Sequence, residues 1–293
     1  MEQSTLTALF LPLALGIIML GMGMTLTLDD FRKIFIYPKA VLLGLSNQLI
    51  LLPFIGFGIA VFFDMPPELS VGIMLLALCP GGATSNIISH LAKADLALSV
   101  SLTAISSVIT NFTIPIFLNF SLFYFMGGKQ AIQLPLGETI LQIFVVTILP
   151  ISIGMLIKKR FPEFTSRTLK SVNIISAVFF VLILLLAIIK ERANIIPYFQ
   201  QSGLAALALN VSALALGFFS GKLLSLNYRQ RVAISIESGI QNGTLAIAIA
   251  LSPVILNNSA IAIPGAIYSL IMFVTAAAVV VMARKHREIG VES

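Results

Sequence analysis

Glu237-Ser238-Gly239-Ile240-Gln241-Asn242 lies in the middle of an otherwise apolar run, at about residues 231–252. Roughly 20 apolar residues let a helix cross a bilayer. A polar, Gly-bearing break at such depth is tolerated only where protein or a water-filled cavity surrounds it. The same device occurs earlier in the chain. Gly81-Gly82-Ala83-Thr84-Ser85-Asn86 breaks the run at about 69–92 and also ends in Asn. Each hexamer is followed by a run with an internal small or proline-bearing stretch, Ser99 to Thr103 in one and Ala262 to Gly265 in the other. Counting outward gives nine apolar runs, at about 7–28, 38–63, 69–92, 96–126, 135–157, 170–189, 200–221, 231–252 and 259–283. An odd number of span boundaries separates the hexamers, so the two units are expected to cross the membrane in opposite senses. Paired interruptions in inverted halves point to a transporter's binding site.

Composition agrees with a lipid environment. Of 293 residues, 58% are hydrophobic and 10% charged, where a soluble domain carries about 25% charged residues. A water-soluble enzyme and a disordered chain are both excluded. The single cysteine, Cys79, excludes a disulfide framework and a cysteine-based metal cluster. The net charge of +6 marks orientation and not nucleic acid. With the N-terminus outside, fifteen of the 18 Lys and Arg residues fall in cytoplasmic segments; Lys129, Lys190 and Arg192 do not. Nothing before residue 7 is basic, so the first run is expected to remain as a span. The loops are too short to fold alone, which makes 1–293 a single transmembrane unit with the lipid bilayer as its solvent. No obligate protein partner is evident.

Glu237 carries the most chemistry. A carboxylate at depth costs about 2.5–3.5 kcal/mol on insertion scales, and deep Lys or Arg partners are missing from every run. A proton or a bound cation is left to neutralise it. Around the breaks stand Gln48, Asn47, Ser85, Asn86, Ser99, Ser101, Thr103, Ser238, Gln241 and Asn242, all offering neutral oxygens. Hard cations select such ligands, and one carboxylate among neutral oxygens suits Na⁺ better than a divalent ion. Ser99 and Thr103 share a helix face, although hydroxyls at that spacing also bond the preceding turn's carbonyls. Helix segments restarting after Gly82 and Gly239 would present N-terminal amides to an organic anion.

These motifs, with Cys79-Pro80 before the first and Ala97-Leu98 before Ser99, resemble the bile acid:sodium symporter family. The likeness extends from Gly21-Met22-Gly23-Met24 to Pro264-Gly265-Ala266. It implies an all-α membrane protein with nine transmembrane helices and inverted repeats. Two discontinuous helices would cross in a core domain (about 38–126 and 200–283), which moves against a panel domain (about 7–28, 135–157 and 170–189). It also implies two coupling Na⁺ ions. One would lie on Ser85, Asn86, Ser99, Thr103 and Glu237. The other would lie on Gln48, Glu237, Gln241 and the carbonyls of Ser238 and Ile240. On the substrate side the resemblance points to Asn242, Ala83, Thr84 and Met272. There the order Ala83-Thr84 and the apolar Ile271-Met272 depart from the family pattern. Sodium-coupled symport of a small organic anion in a bacterial inner membrane is therefore expected, the cargo being a bile-acid-like steroid or a small carboxylate such as a pantoate-type precursor. Two alternatives remain at this point: arsenite efflux using Cys79, and an intramembrane enzyme using Glu237 as general base.

Overall fold

The computed structural model describes residues 5–127 and 134–288; Lys129 lies outside the described residues. Every element is helical, and among the described residues the sole β feature is one antiparallel bridge, Gly81 to Gln241. The helices are α1 (Thr5–Thr25), α2 (Leu28–Arg32), α3 (Pro38–Ser46), α4 (Leu52–Phe62), α5 (Pro67–Leu78), α6 (Ala83–Leu91), α7 (Leu96–Phe125), α8 (Leu136–Val146) and α9 (Ile148–Arg160). After them come α10 (Pro162–Lys190), α11 (Ile195–Leu223), α12 (Tyr228–Gly239), α13 (Gly243–Leu251) and α14 (Ser259–Glu288). Among the described residues, six helical stretches are long and apolar enough to cross a membrane: 38–62, 96–125, 136–160, 162–190, 195–223 and 259–286. The protein is an all-α membrane protein.

Two of those six carry a defect that hydropathy does not reveal, and each has a proline as its cause. Pro53 has no N–H for the Leu49 carbonyl, and just ahead of it the chain runs through a π turn, Asn47–Leu51, with the Leu52 N–H reaching Asn47 O. The extra residue re-aims the face that carries Gln48. Pro150 likewise leaves the Val146 carbonyl without its donor, and the helix breaks at Thr147 (φ −120°, ψ −70°) before restarting as α9. The apolar runs expected at 170–189 and 200–221 are parts of longer helices, Pro162–Lys190 and Ile195–Leu223. Hydropathy registers only the membrane-depth portion of a helix. The polar turns that extend it, opened in α10 by Pro162 at its first turn, carry no apolar signal.

The two interrupted helices match in proportion. α5 and α12 each have 12 residues, and α6 and α13 each have nine. Each pair is followed by a 30-residue helix, α7 or α14. Elsewhere α1 packs along α9 and α10. Gly23 and Gly154 allow that approach: a Cβ on Gly154 would stand 2.8 Å from the Met24 amide nitrogen. Small residues are what let helix backbones close up in lipid. α10 also touches α13 and α14, and α5, α7, α11, α12 and α14 interlock around the breaks.

Candidate functional site

An interrupted helix inside a membrane frees carbonyls and amides that must all find partners. Here side chains share that accounting with backbone bonds between the two breaks. Gln48 Nε2 donates to Cys79 O (2.6 Å), the first carbonyl past α5. Asn242 N donates to Pro80 O (2.9 Å), which ties the two breaks together beside the Gly81–Gln241 bridge. Ser85 Oγ donates to Gly82 O at 2.7 Å. Gln241 Nε2 donates to Ser238 O at 2.5 Å. Gly239 O accepts twice, from Asn210 Nδ2 and from the Tyr268 hydroxyl, both at 2.8 Å. Asn242 Oδ1 caps α13 by accepting from Leu245 N at 3.0 Å. The crossing is thus a rigid, hydrogen-bonded junction.

Glu237 lies at this junction, 3% exposed, on the last turns of α12. Its carboxylate accepts from Thr103 Oγ1 (2.5 Å to Oε1) and from Ser85 and Ser99 Oγ (2.8 and 3.2 Å to Oε2). Among the described residues the ion pairs are Asp29–Arg32 and Asp30–Lys33, and neither involves Glu237. A carboxylate therefore sits deep in the protein with hydroxyls around it and no basic partner.

Proton arithmetic suggests what completes the site. A hydroxyl carries one proton. Ser85 Oγ has Gly82 O and Glu237 in range, with the Thr103 hydroxyl at 3.5 Å; Ser99 Oγ has two acceptors, Asn86 Oδ1 (2.9 Å) and Glu237. Thr103 Oγ1 has four, Glu237, Ser99 O (3.1 Å), Asn86 Oδ1 (3.3 Å) and Ser85 Oγ (3.5 Å). The cluster is rich in oxygen and short of protons. Asn86 turns its carbonyl oxygen into it and leaves its buried Nδ2 without a partner. Such a donor set fits a hard monovalent cation. Among the described residues, no three His, Cys, Asp or Glu side chains come together as a multi-carboxylate or thiolate site would need.

The sequence candidates are placed unevenly. Ser85, Asn86, Ser99, Thr103 and Glu237 converge. Gln48 and Gln241 meet each other through paired amide bonds of 3.1 and 3.2 Å, while the side-chain donors to Glu237 are Ser85, Ser99 and Thr103. Ser238 belongs to the same turn, and Ile240 is buried in the break. Asn47 donates to Ser220 Oγ (2.8 Å) and Ser101 to Ala97 O (2.7 Å), so both serve packing. Cys79 contributes its carbonyl, while its side chain lies in the apolar core. Asn242 shares a small cavity with Pro80, Asn111 and Thr147, with about 10 Å³ open to water. Ala83, Thr84 and Met272 do not line it. The first two are half-buried on the opening turn of α6, and Met272 is buried in α14.

Residues 12–197 match the model of the Sodium Bile acid symporter family. The chain belongs to that family. It is 32% identical over 268 residues to an uncharacterized sodium-dependent transporter, YocS, of Bacillus subtilis, covering 89% of this chain and 78% of that protein. It is 30% identical over 273 residues to a probable chloroplastic sodium/metabolite cotransporter, BASS2, of Oryza sativa, covering 92% of this chain and 62% of the relative. Identity to the human ileal sodium/bile acid cotransporter is 27% over 245 residues, 83% of this chain and 69% of that one. The protein is a membrane transporter of a sodium-dependent family and not an enzyme.

Asn210 and Tyr268 escaped the sequence reading. Their signal was present: an Asn within an apolar run, and a Tyr hydroxyl at membrane depth that must find an acceptor. Because both bond Gly239 O, Asn210→Leu and Tyr268→Phe should each cost about 0.6–1.5 kcal/mol. The double variant should cost more than their sum, since it alone leaves the carbonyl orphaned. Thermal melts of the purified single and double variants would measure this, and simple additivity would refute the shared role.

Proposed function

We propose that the protein imports a small organic anion together with two Na⁺ ions by alternating access. In this reading it crosses the membrane nine times, with the N-terminus outside and the C-terminus in the cytoplasm of a bacterial cell. The segments at about 38–126 and 200–283 form the core, which moves against a panel of about 7–28, 135–157 and 170–189. The unpaired Glu237 carboxylate among proton-poor oxygens carries the proposal. One ion takes Glu237, Ser85, Asn86, Ser99 and Thr103. The second takes Glu237, Gln48, Gln241 and the Ser238 and Ile240 carbonyls, after the two glutamine amides part. Backbone amides opening α6 and α13 lie next to these cations and suit a carboxylate cargo.

The cargo class is supported by a second cavity of about 290 Å³ between α1, α8 and α13. Leu11, Leu15, Leu141, Val145 and Ile249 give it apolar walls. A separate, smaller cavity on the same three helices is lined by Met19, Ile143 and Leu245 together with Asn111 and Asn242. An apolar body fits the walls of the larger of the two, and its volume favours a small carboxylate over a whole steroid.

The test is a thermal-shift screen of organic anions in Na⁺ or K⁺, followed by uptake of the hits into proteoliposomes. Two Na⁺ with one monovalent anion move a net charge of +1 inward. An imposed 100 mV, inside negative, is worth about 2.3 kcal/mol, roughly fiftyfold in accumulation. Uptake should also rise more steeply than linearly at low Na⁺. Indifference to potential with hyperbolic Na⁺ dependence, for a cargo of known single charge, would overturn two-ion coupling.

A further inference from the structure

A roomy cavity lies away from the crossing, where α1 turns into α2 and α9 ends. It holds about 680 Å³. One wall is apolar, formed by Leu28, Met155 and Leu156; the rim carries Arg32, Lys158 and Lys159. Among the described residues the only carboxylate on its lining is Asp29, which pairs with Arg32 at 3.3 Å. Nearby Asp30 is engaged by Lys33 (2.6 Å) and by Thr27 N and Oγ1 (2.8 and 2.7 Å), so it does not neutralise the rim. Lys158 is held in place by donating one hydrogen to Thr25 O at 2.5 Å, and two ammonium hydrogens remain for another partner. The rim therefore has an excess of positive charge above an apolar wall.

Its position fixes what that charge would meet. The apolar run of α9 ends in Lys158-Lys159-Arg160, the point at which a spanning helix leaves hydrocarbon for headgroups. Around it Phe161 and Phe164 are exposed, as are Phe35 and Ile36 beyond α2. Leu28 and Leu156 are exposed within the cavity itself, at 58% and 57%. Exposed aromatics, open apolar walls and a cationic rim at the end of a spanning helix match the boundary layer of a bilayer.

We propose that this cavity binds a phospholipid with an anionic headgroup. Its phosphate would sit against Lys158, Lys159 and Arg32, and one acyl chain would lie along Leu28, Met155 and Leu156. Charge complementarity selects the headgroup, and the apolar wall distinguishes a lipid from a free anion. The lipid would bridge the α1–α2 turn and the end of α9.

Native mass spectrometry of the purified full chain in neutral detergent, titrated with phosphatidylglycerol or phosphatidylcholine, tests the site. One phosphatidylglycerol should be retained in preference to phosphatidylcholine. Arg32→Gln with Lys159→Gln removes two exposed charges and spares the Lys158 bond to Thr25. At about fivefold per charge, it should weaken that binding roughly thirtyfold. Melting temperature in the same detergent should rise with phosphatidylglycerol and not with inorganic phosphate. Equal retention of the two lipids, unchanged affinity in the double variant, or the same shift with phosphate would each overturn the proposal. A second pair, Arg229→Gln with Lys222→Gln at a different helix end, should leave the retained lipid in place, and loss of the lipid there would mean that net charge alone decides.

Discussion

Glu237→Gln is expected to remove the sodium response of the folded protein while leaving it as stable as before, or more so, in sodium-free buffer. In the unmutated protein, Na⁺ bound to the native state at a hundred times its dissociation constant adds about 2.7 kcal/mol of stability. For a chain of this size that is roughly 5–10 °C in melting temperature. K⁺, which the proposed donor set does not select, should add little. The amide keeps an oxygen for the Ser85, Ser99 and Thr103 hydroxyls but has no charge to hold the ion. It also ends the burial of a carboxylate at depth, whose cost is about 2.5–3.5 kcal/mol. The variant should therefore gain stability without sodium and lose uptake altogether, as expected where a binding site is kept at the expense of the fold. Melts of both proteins in Na⁺ and K⁺, with uptake in vesicles, separate these effects. A sodium-specific shift that survives in Glu237→Gln would place the ion elsewhere.

Much of this site was legible from residue types alone. Two Gly-bearing polar hexamers in apolar runs locate both breaks, because lipid allows no other unpaired backbone. Glu237, with no deep basic residue to match it, announces the need for a proton or a metal cation. The π turn and the Thr147 break were not legible. Their cause is a single missing N–H in each case, and a proline in a membrane helix is as often accommodated as not. Neither was the Gln48–Gln241 pair, whose members are far apart in the chain and meet only when the π turn swings Gln48 onto the crossing. Asn210 and Tyr268 belong to the same class: each is an ordinary polar residue until Gly239 O is placed between them. Composition and spacing thus reveal where the chain must break, while the residues that hold the break together depend on the tertiary fold.

The sharpest test of that junction is Gly81→Ala. A Cβ built on Gly81 would overlap the Glu237 carboxylate, with Cδ at 2.7 Å, well inside the closest approach of real carbon atoms. The backbone there is pinned by the bridge to Gln241 and by Asn242 N on Pro80 O, so it cannot retreat cheaply. The carboxylate must move instead, and with it the geometry that Ser85, Ser99 and Thr103 define. Displacements near 1 Å in a preorganised site cost on the order of a hundredfold in rate, and overpacking adds about 1–3 kcal/mol of destabilisation. Gly81→Ala should accordingly lose transport by about that factor and blunt the sodium-dependent melt. Gly58→Ala is the matched control, since a Cβ there meets nothing within 4 Å, and it should transport normally. Glu237→Asp supplies the decisive arm. Shortening the acid by one methylene withdraws it from the new Cβ, so the double variant Gly81→Ala with Glu237→Asp should transport better than Gly81→Ala alone. Normal transport by Gly81→Ala would show that the carboxylate is free to move and that the rigid crossing does not set the ion site. If Asp fails to restore any activity, the methyl group acts on the backbone junction and not on Glu237.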